Sequence, residues 1–432
     1  MRITSYVRVA AVGAVLAYCL ATQVQASGSG STMVDNDMLQ ELKRMIEQQQ
    51  AQIDKQAAEI AALKEQIGGT KEALASKADK ESVKGIDKMV TSSLSNVNLS
   101  LYGHINKAAM YVNNGDTSKW YVVDNSNSQT RLGLRANVET VNDWNIGGRI
   151  EYGIVSNASS DVNQLNTDDA TSTNFKLRWA EVSFRHDKYG KLSLGKGDSA
   201  SNNSAEVDLS GTTVASYSGY SDMAGSSLWY EGRTDTLTNL EIGNVFSNFD
   251  GLSRTDRIRY DTPSFGGFSV ATSANSGDAF DGALFYNRKF SGTELAAAIA
   301  LANPGDIKTG VDSQVSGSIS AMFPVGFNAT FAAGGQDLDI SGRDNPTNWW
   351  AKLGYQTKFY EAATTSFSID YGETSDLAQD NDKLKSWAIA AVHNISDWGT
   401  EVYMAFRMHQ LDRNGTDFDD IHVFWTGARV KF

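Results

Sequence analysis

The residues best suited to acid–base or metal chemistry are five histidines, His104, His186, His393, His409 and His422, and they are scattered. None stands beside another at metal-ligand spacing. No G-x-S-x-G elbow, P-loop or paired-carboxylate motif accompanies them. The single cysteine, Cys19, falls in an N-terminal apolar stretch, which excludes thiol catalysis, a disulfide scaffold and a cysteine–metal site from the rest of the chain. The sequence therefore offers no catalytic residue, no metal ligands and no cofactor motif. What it holds in quantity is charge: 51 Asp and Glu against 38 Lys and Arg, a formal net charge of −13. So acidic a chain is a poor nucleic-acid binder. The chemistry left to these side chains is electrostatic handling of solutes, and that needs a scaffold holding opposed charges across a gap.

The scaffold begins with export. Arg2 and Arg8, the apolar run Val9 to Leu20 and the small-x-small site Val24-Gln25-Ala26 read as a secretory signal over residues 1–26. That run is too short to span a bilayer, and no later stretch of about 18 apolar residues makes a transmembrane helix. Residues 27–96 read as a helical coiled coil and linker. Leu39, Ile46, Ile53, Ile60 and Ile67 recur every seven residues, and Leu42, Gln49, Gln56 and Leu63 fill the complementary seam position. A single amphipathic helix packed on another surface would show the same spacing. Gly68-Gly69 breaks the pattern, and Leu74, Val83, Ile86 and Val90 continue it weakly.

From Val97 onward the period is two. In Arg131 to Glu139 the apolar set is Leu132, Leu134, Ala136 and Val138, and Arg131, Arg135, Asn137 and Glu139 occupy the other face. Glu401 to Met408 and Ser366 to Tyr371 alternate in the same way. One apolar and one polar face over about ten residues is the signature of a transmembrane barrel strand, which a soluble sandwich shares. The links decide more. Sixteen candidate strands between 98 and 432 are joined by links that alternate short with long. Tight turns on one side, long polar loops on the other and an even strand number describe an outer-membrane barrel. Scarce proline, four residues in the chain, suits continuous ladders. The expected fold is an all-β transmembrane barrel of about 16 antiparallel strands, spanning 97–432, preceded by the coiled coil. Trp120, Trp144, Trp179, Trp349, Trp350, Trp398 and Trp425 lie near strand ends, where membrane girdles form.

Three stretches resemble the Gram-negative general porin family. Leu101-Tyr102-Gly103-His104 looks like its first strand and Arg131-Leu132-Gly133-Leu134 like its second. Asp256 to Phe268, with Tyr260-Asp261-Thr262-Pro263 and Phe265-Gly266-Gly267 at its centre, looks like the strand–turn–strand after the constriction loop. The likeness covers roughly residues 97–432, and the N-terminal coiled coil departs from the simplest members. The resemblance implies a homotrimer in outer-membrane lipid with one pore per subunit, narrowed by a long inward loop. By position that loop is about 199–254, with Glu206, Asp208 and Asp222 among small residues. The family opposes such acids with basic residues on the barrel wall. Arg131 matches a wall arginine, Lys196 sits where the family commonly has another, and His104 where some members have lysine. Arg149, Arg185 and Arg407 are added as inward by parity. The terminal Phe432 resembles the signal read by the outer-membrane assembly machinery.

The expected function is a water-filled outer-membrane pore for passive diffusion of small hydrophilic solutes and ions. Two charges about 10 Å apart interact by roughly 1.5 kcal/mol at an effective dielectric near 20, enough to bias permeation without trapping a solute. Excess acid in the barrel argues for mild cation preference, which a basic constriction reverses. One alternative is a channel selective for sugars or dicarboxylates. Another is a tether, in which a helix of about 30–36 residues reaches roughly 45–54 Å across the periplasm toward a cell-wall or periplasmic partner. An outer-membrane phospholipase would need a Ser–His constellation that the sequence does not place.

Overall fold

The decisive local fact is which face of each strand is greasy. In the middle of Val311–Met322, Val315 and Ile319 are exposed, and Gln314, Ser316, Ser318 and Ser320 are buried. Ile369 points outward beside buried Asp370, and Met404 beside buried Ala405 and Arg407. A water-soluble sheet buries its apolar face, so this inversion is that of a sheet solvated by lipid outside and by polar groups within.

The computed structural model describes residues 97–139, 143–171 and 174–432, and four helical positions in the N-terminal part. The chain divides into two units, residues 1–87 and 88–432. In the first, Gln40, Arg44, Glu47 and Ala51 are helical and exposed. The secretory signal, and the coiled-coil seam of Leu39, Leu42, Ile46, Ile53, Ile60, Leu63 and Ile67, lie outside the described residues.

In the second unit sixteen strands form the wall. The first eight are β1 (Val97–Asn113), β2 (Arg131–Glu139), β3 (Trp144–Ile154), β4 (Phe175–His186), β5 (Gly190–Asp198), β6 (Arg254–Asp261), β7 (Phe268–Asn275) and β8 (Ala279–Phe290). Then come β9 (Thr293–Asn303), β10 (Val311–Met322), β11 (Phe327–Leu338), β12 (Thr347–Tyr360), β13 (Ala363–Ser375), β14 (Lys383–Ile395), β15 (Thr400–Arg413) and β16 (Ile421–Lys431). Each pairs antiparallel with its sequence neighbour, and β16 pairs with β1 in the register His104↔Lys431 to Asn113↔His422. The sheet is closed, which removes its edges. Beyond the last paired strand residue, Gly103 and Phe432 exchange two backbone hydrogen bonds, at 2.9 and 3.1 Å.

Two details differ from the sequence pattern. The first link is not all loop, because Ser118–Asp124 folds back on β1 in the register Lys107↔Asp124 to Asn113↔Ser118. The alternation of short and long links also lapses once. The link after β7, on the long-loop side, is only Ser276-Gly277-Asp278, whose φ values of 83° at Gly277 and 53° at Asp278 close a tight hairpin. On the opposite side, Ser291-Gly292 turns β8 into β9 with both residues at positive φ, the geometry that matches strand twist.

Of the girdle tryptophans, Trp120, Trp144, Trp349 and Trp398 are exposed on the outer face. Trp350 and Trp425 are fully buried inside the barrel, because they fall one residue out of phase with their outward neighbours. Trp179 also turns inward, its ring under the guanidinium of Arg149 at 3.8 Å.

Candidate functional site

The long link between β5 and β6, residues 199–253, does not project from the barrel but runs along its inner wall. Its neck is closed by Ser199 N–H donating to Ser253 O at 3.0 Å, and Ser201 N–H donates to the buried Asp281 carboxylate at 2.7 Å. The serines of β10 then form a ladder for its backbone. Val207 N–H donates to Ser318 Oγ and Leu209 N–H to Ser320 Oγ, each at 2.9 Å, and the Ser204 and Ser316 hydroxyls meet at 2.6 Å. Small side chains let the loop lie this close to the wall. Further on, Arg407 donates to Asp370 at 2.8 Å and to Ser216 at 2.6 Å. The last part of the loop carries a short hairpin, Leu228–Glu231 with Thr236–Glu241, and an apolar cluster. Trp229, Ile242, Val245 and Phe246 pack there against Met110 and Val112 of β1, Leu411 of β15, and Ile421, Val423 and Trp425 of β16.

What the loop leaves open is a polar cavity of about 560 Å³. On the loop side it is lined by Glu206, Tyr217, Asp222, Asn248 and Asp250, and on the wall side by Arg131, Lys176, Arg178, Lys196 and Arg254. Acid therefore faces base across a gap, which is the arrangement that sets up a transverse field. The wall charges are held from behind: Arg178 Nε donates to Glu151 at 2.7 Å, Arg254 Nε lies 3.0 Å from Asp198, and Arg131 Nε donates to Gln129 O at 3.0 Å. On the loop, Asp250 accepts Asn203 N–H at 2.7 Å and Ala205 N–H at 2.8 Å. Asn248 donates to Glu206 at 3.2 Å, and Tyr217 donates to Asp222 at 2.5 Å. Burial pushes the carboxyls of Asp222 and Asp250 up to about 6, with Asp161 and Asp198 adding in turn. Burial, reinforced by Asp250 and Asp222, holds Glu206 well above the ordinary carboxylate range. The two loop aspartates therefore titrate near 6.

Of the residues singled out in the sequence, Glu206, Asp222, Arg131 and Lys196 come together at this cavity. The others lie elsewhere. Asp208 is buried under the loop in an ion pair with Lys352 at 2.7 Å, so it is a fastening and not a lining charge. Arg407 is inward, as its parity requires, but buried against Asp370. Arg149 stacks on Trp179 and pairs with Glu151 at 2.5 Å, outside the cavity lining. Arg185 lies at a short turn beside Asp187, largely exposed. His104 is one layer back, its Nε2 2.8 Å from Gln129 O.

Lys176, Arg178, Arg254, Tyr217 and Asp250 are among the lining residues that sequence reasoning missed. Arg178 escaped because β4 gains a residue against β3: Glu151 pairs with Trp179, and the next residue, Tyr152, with Leu177. At that bulge Arg178 and Trp179 both turn inward, so a parity count from Ser183 and Glu181 assigns Arg178 to the wrong face. Arg254 opens β6, two residues before the stretch that carried the resemblance. No sequence signal marks Asp250, which the chain reversal at Phe249 and Gly251 brings to the cavity.

The family described as Gram-negative porin matches residues 75–414. No curated protein matches the chain. Among solved structures, the fold is similar to that of the anion-selective porin from Comamonas acidovorans, with TM-score 0.55 and 16% identity over 78% of this chain and 100% of that one. It is similar to the trimer form of OmpT, an outer membrane protein of Vibrio cholerae, with TM-score 0.51 and 12% identity over 78% and 100% of the two chains. It is also similar to the outer membrane channel DcaP of Acinetobacter baumannii, with TM-score 0.50 and 13% identity over 79% and 99%.

Proposed function

This chain belongs to the Gram-negative porin family and forms an outer-membrane channel for passive diffusion of small hydrophilic solutes; from that premise we propose that its constriction favours small anions. The observation carrying this reading is the cavity lining. Five cationic side chains, Arg131, Lys176, Arg178, Lys196 and Arg254, face three acids. Burial, with Asp250 and Asp222 beside it, raises the carboxyl of one of those acids, Glu206, well above its ordinary range. The cationic excess is reduced by Glu151 and Asp198 behind the wall, so the preference is modest. The overall acidity of the chain does not oppose it, because charges on outer loops are screened within about 8–10 Å at physiological salt. Planar-bilayer recording under a salt gradient tests the reading. A zero-current potential displaced toward the chloride equilibrium supports it, and one displaced toward potassium overturns it.

The same recording at two pH values gives a sharper expectation. As pH falls from about 7.5 to about 5, Asp222 and Asp250 take up protons, since their carboxyls titrate near 6. Negative charge leaves the loop side, and anion preference is expected to rise about two- to thirtyfold, the range for one or two charges of roughly 0.5–1 kcal/mol each in a partly screened pore. With Asp222→Asn and Asp250→Asn combined, the pH dependence should flatten. A response unchanged by that double variant would place the titrating groups elsewhere.

A homotrimer is the expected assembly, supported by a neighbour of similar fold, the outer membrane protein OmpT of Vibrio cholerae, solved in trimer form. We place the N-terminal helical segment in the periplasm as a coiled coil stapling the subunits, free to reach a cell-wall or periplasmic partner. Its heptad spacing supports this, and a cross-linking ladder of the 27–96 segment would test it. Phe432 is proposed as the mark read by the assembly machinery. Its deletion is expected to lower the amount of heat-modifiable, folded protein in the outer membrane about tenfold or more, measured by gel migration before and after boiling. Unchanged levels would leave Phe432 as the closing residue of the ladder only.

A further inference from the structure

We propose that Glu151, a carboxylate outside the cavity lining, tunes the anion preference of the constriction by aiming Arg178 from behind the wall. The inference rests on the anion-channel reading above. Glu151 lies on β3 with its side chain fully buried. Its Oε1 accepts Arg178 Nε at 2.7 Å and lies 3.9 Å from Arg131 Nη1. Its Oε2 accepts Tyr102 OH at 2.7 Å and Arg149 Nη2 at 2.5 Å. Three arginines therefore converge on one carboxylate, and two of them, Arg131 and Arg178, go on to line the pore.

Arg178 depends on this contact more than its neighbours do. It sits at the bulge of β4, where the regular ladder no longer fixes the side-chain direction. Its other polar contact is Gln129 Oε1 at 3.3 Å. Fixing Nε against Glu151 turns the far end of the guanidinium toward the cavity, because the donors of that planar group diverge at set angles. Arg149 lies outside the cavity lining, stacked on the inward ring of Trp179 at 3.8 Å and pointing its Nε at Tyr102 OH at 2.6 Å. Glu151 thus gathers three like charges, two of which line the cavity, and removes one unit of charge from behind them.

The test is the zero-current potential of the full-length protein in planar bilayers, with Glu151→Gln made alone and together with Arg178→Gln. Glu151→Gln keeps the side-chain shape and removes the charge, and is expected to change the anion-to-cation permeability ratio about threefold, the scale of one nearby charge in a partly screened pore. In the Arg178→Gln background the same change is expected to fall below half that size, since the two act as a coupled pair. Glu151→Asp, which retains the charge, should bring the ratio back toward the wild-type value. A purely structural role would lower heat stability and leave the ratio alone. An unchanged ratio in Glu151→Gln, or an equal shift with and without Arg178, would overturn the proposal. A wild-type pore that prefers cations would overturn the anion reading and this inference with it.

Discussion

Replacing Arg131, Arg178 and Arg254 by glutamine is expected to abolish the anion preference and turn the pore toward cations. These three guanidiniums line one side of a cavity of about 560 Å³, and their loss leaves Lys176 and Lys196 facing Glu206, Asp222 and Asp250. With three cations gone, Asp198 loses Arg254 and Glu151 keeps only Arg149 and Tyr102, so both add to the negative field. Each charge contributes roughly 0.5–1 kcal/mol at about 10 Å in a partly screened pore, so the triple change amounts to about tenfold or more in permeability ratio. The reading is the sign of the zero-current potential under a salt gradient. Insertion with single-channel size near wild type and a potential of opposite sign is the expected result. A triple variant that keeps its chloride preference would show that the selective charges lie elsewhere in the lumen.

The second large effect concerns fastening of the loop. Lys352 of β12 is fully buried, donating to Asp208 at 2.7 Å, Ser216 O at 2.7 Å, Thr212 at 3.0 Å and Ser210 at 3.3 Å. Removing one partner of a buried pair leaves the other charge without compensation, a cost of about 3–5 kcal/mol. Lys352→Met is therefore expected to lower the unfolding midpoint and to free residues 208–216 from the wall. Single-channel records should show larger and noisier conductance as the loop samples positions away from β12. Adding Asp208→Asn removes the stranded charge, and the double variant should recover most of the stability but not the quiet conductance. If Lys352→Met melts and conducts as the wild type does, the ion pair is not what fastens the loop.

Much of the barrel could be read from the alternation of residues such as Leu132 and Leu134 against Arg131, because a lipid-facing strand must keep one apolar face. The inward loop was found by its length and by resemblance, and its acids Glu206 and Asp222 and their counterparts Arg131 and Lys196 followed. Hidden from the sequence were contacts between residues far apart in the chain. Asp208 looks like any other loop acid until Lys352, on the wall strand β12 and far away in the chain, is seen to pair with it. Arg407 has the parity of a pore residue, and only the neighbouring Asp370 turns it into a fastening. Arg178 was hidden for a different reason. A single extra residue in β4 shifts the phase, and no local composition announces it. The coiled-coil spacing of Leu39 to Ile67 remains a statement about sequence.

The apolar cluster at the inner end of the loop bears on how the molecule is assembled. Met110 and Val112 belong to the first wall strand and Ile421, Val423 and Trp425 to the last, and both sets share one buried apolar cluster with Trp229, Ile242 and Phe246 of the loop. Joining the two ends of the sheet and docking the loop thus bury the same surface. A cylinder that closed first would have to admit the folded hairpin through its own mouth, so the chain gains most by wrapping its last strands around a loop already in place. Closure of the cylinder and loss of solvent around Trp229 should then occur in a single kinetic phase, limited by contacts of very long sequence separation and correspondingly slow. Shortening the hairpin would speed that phase while leaving a cylinder with nothing inside to close upon.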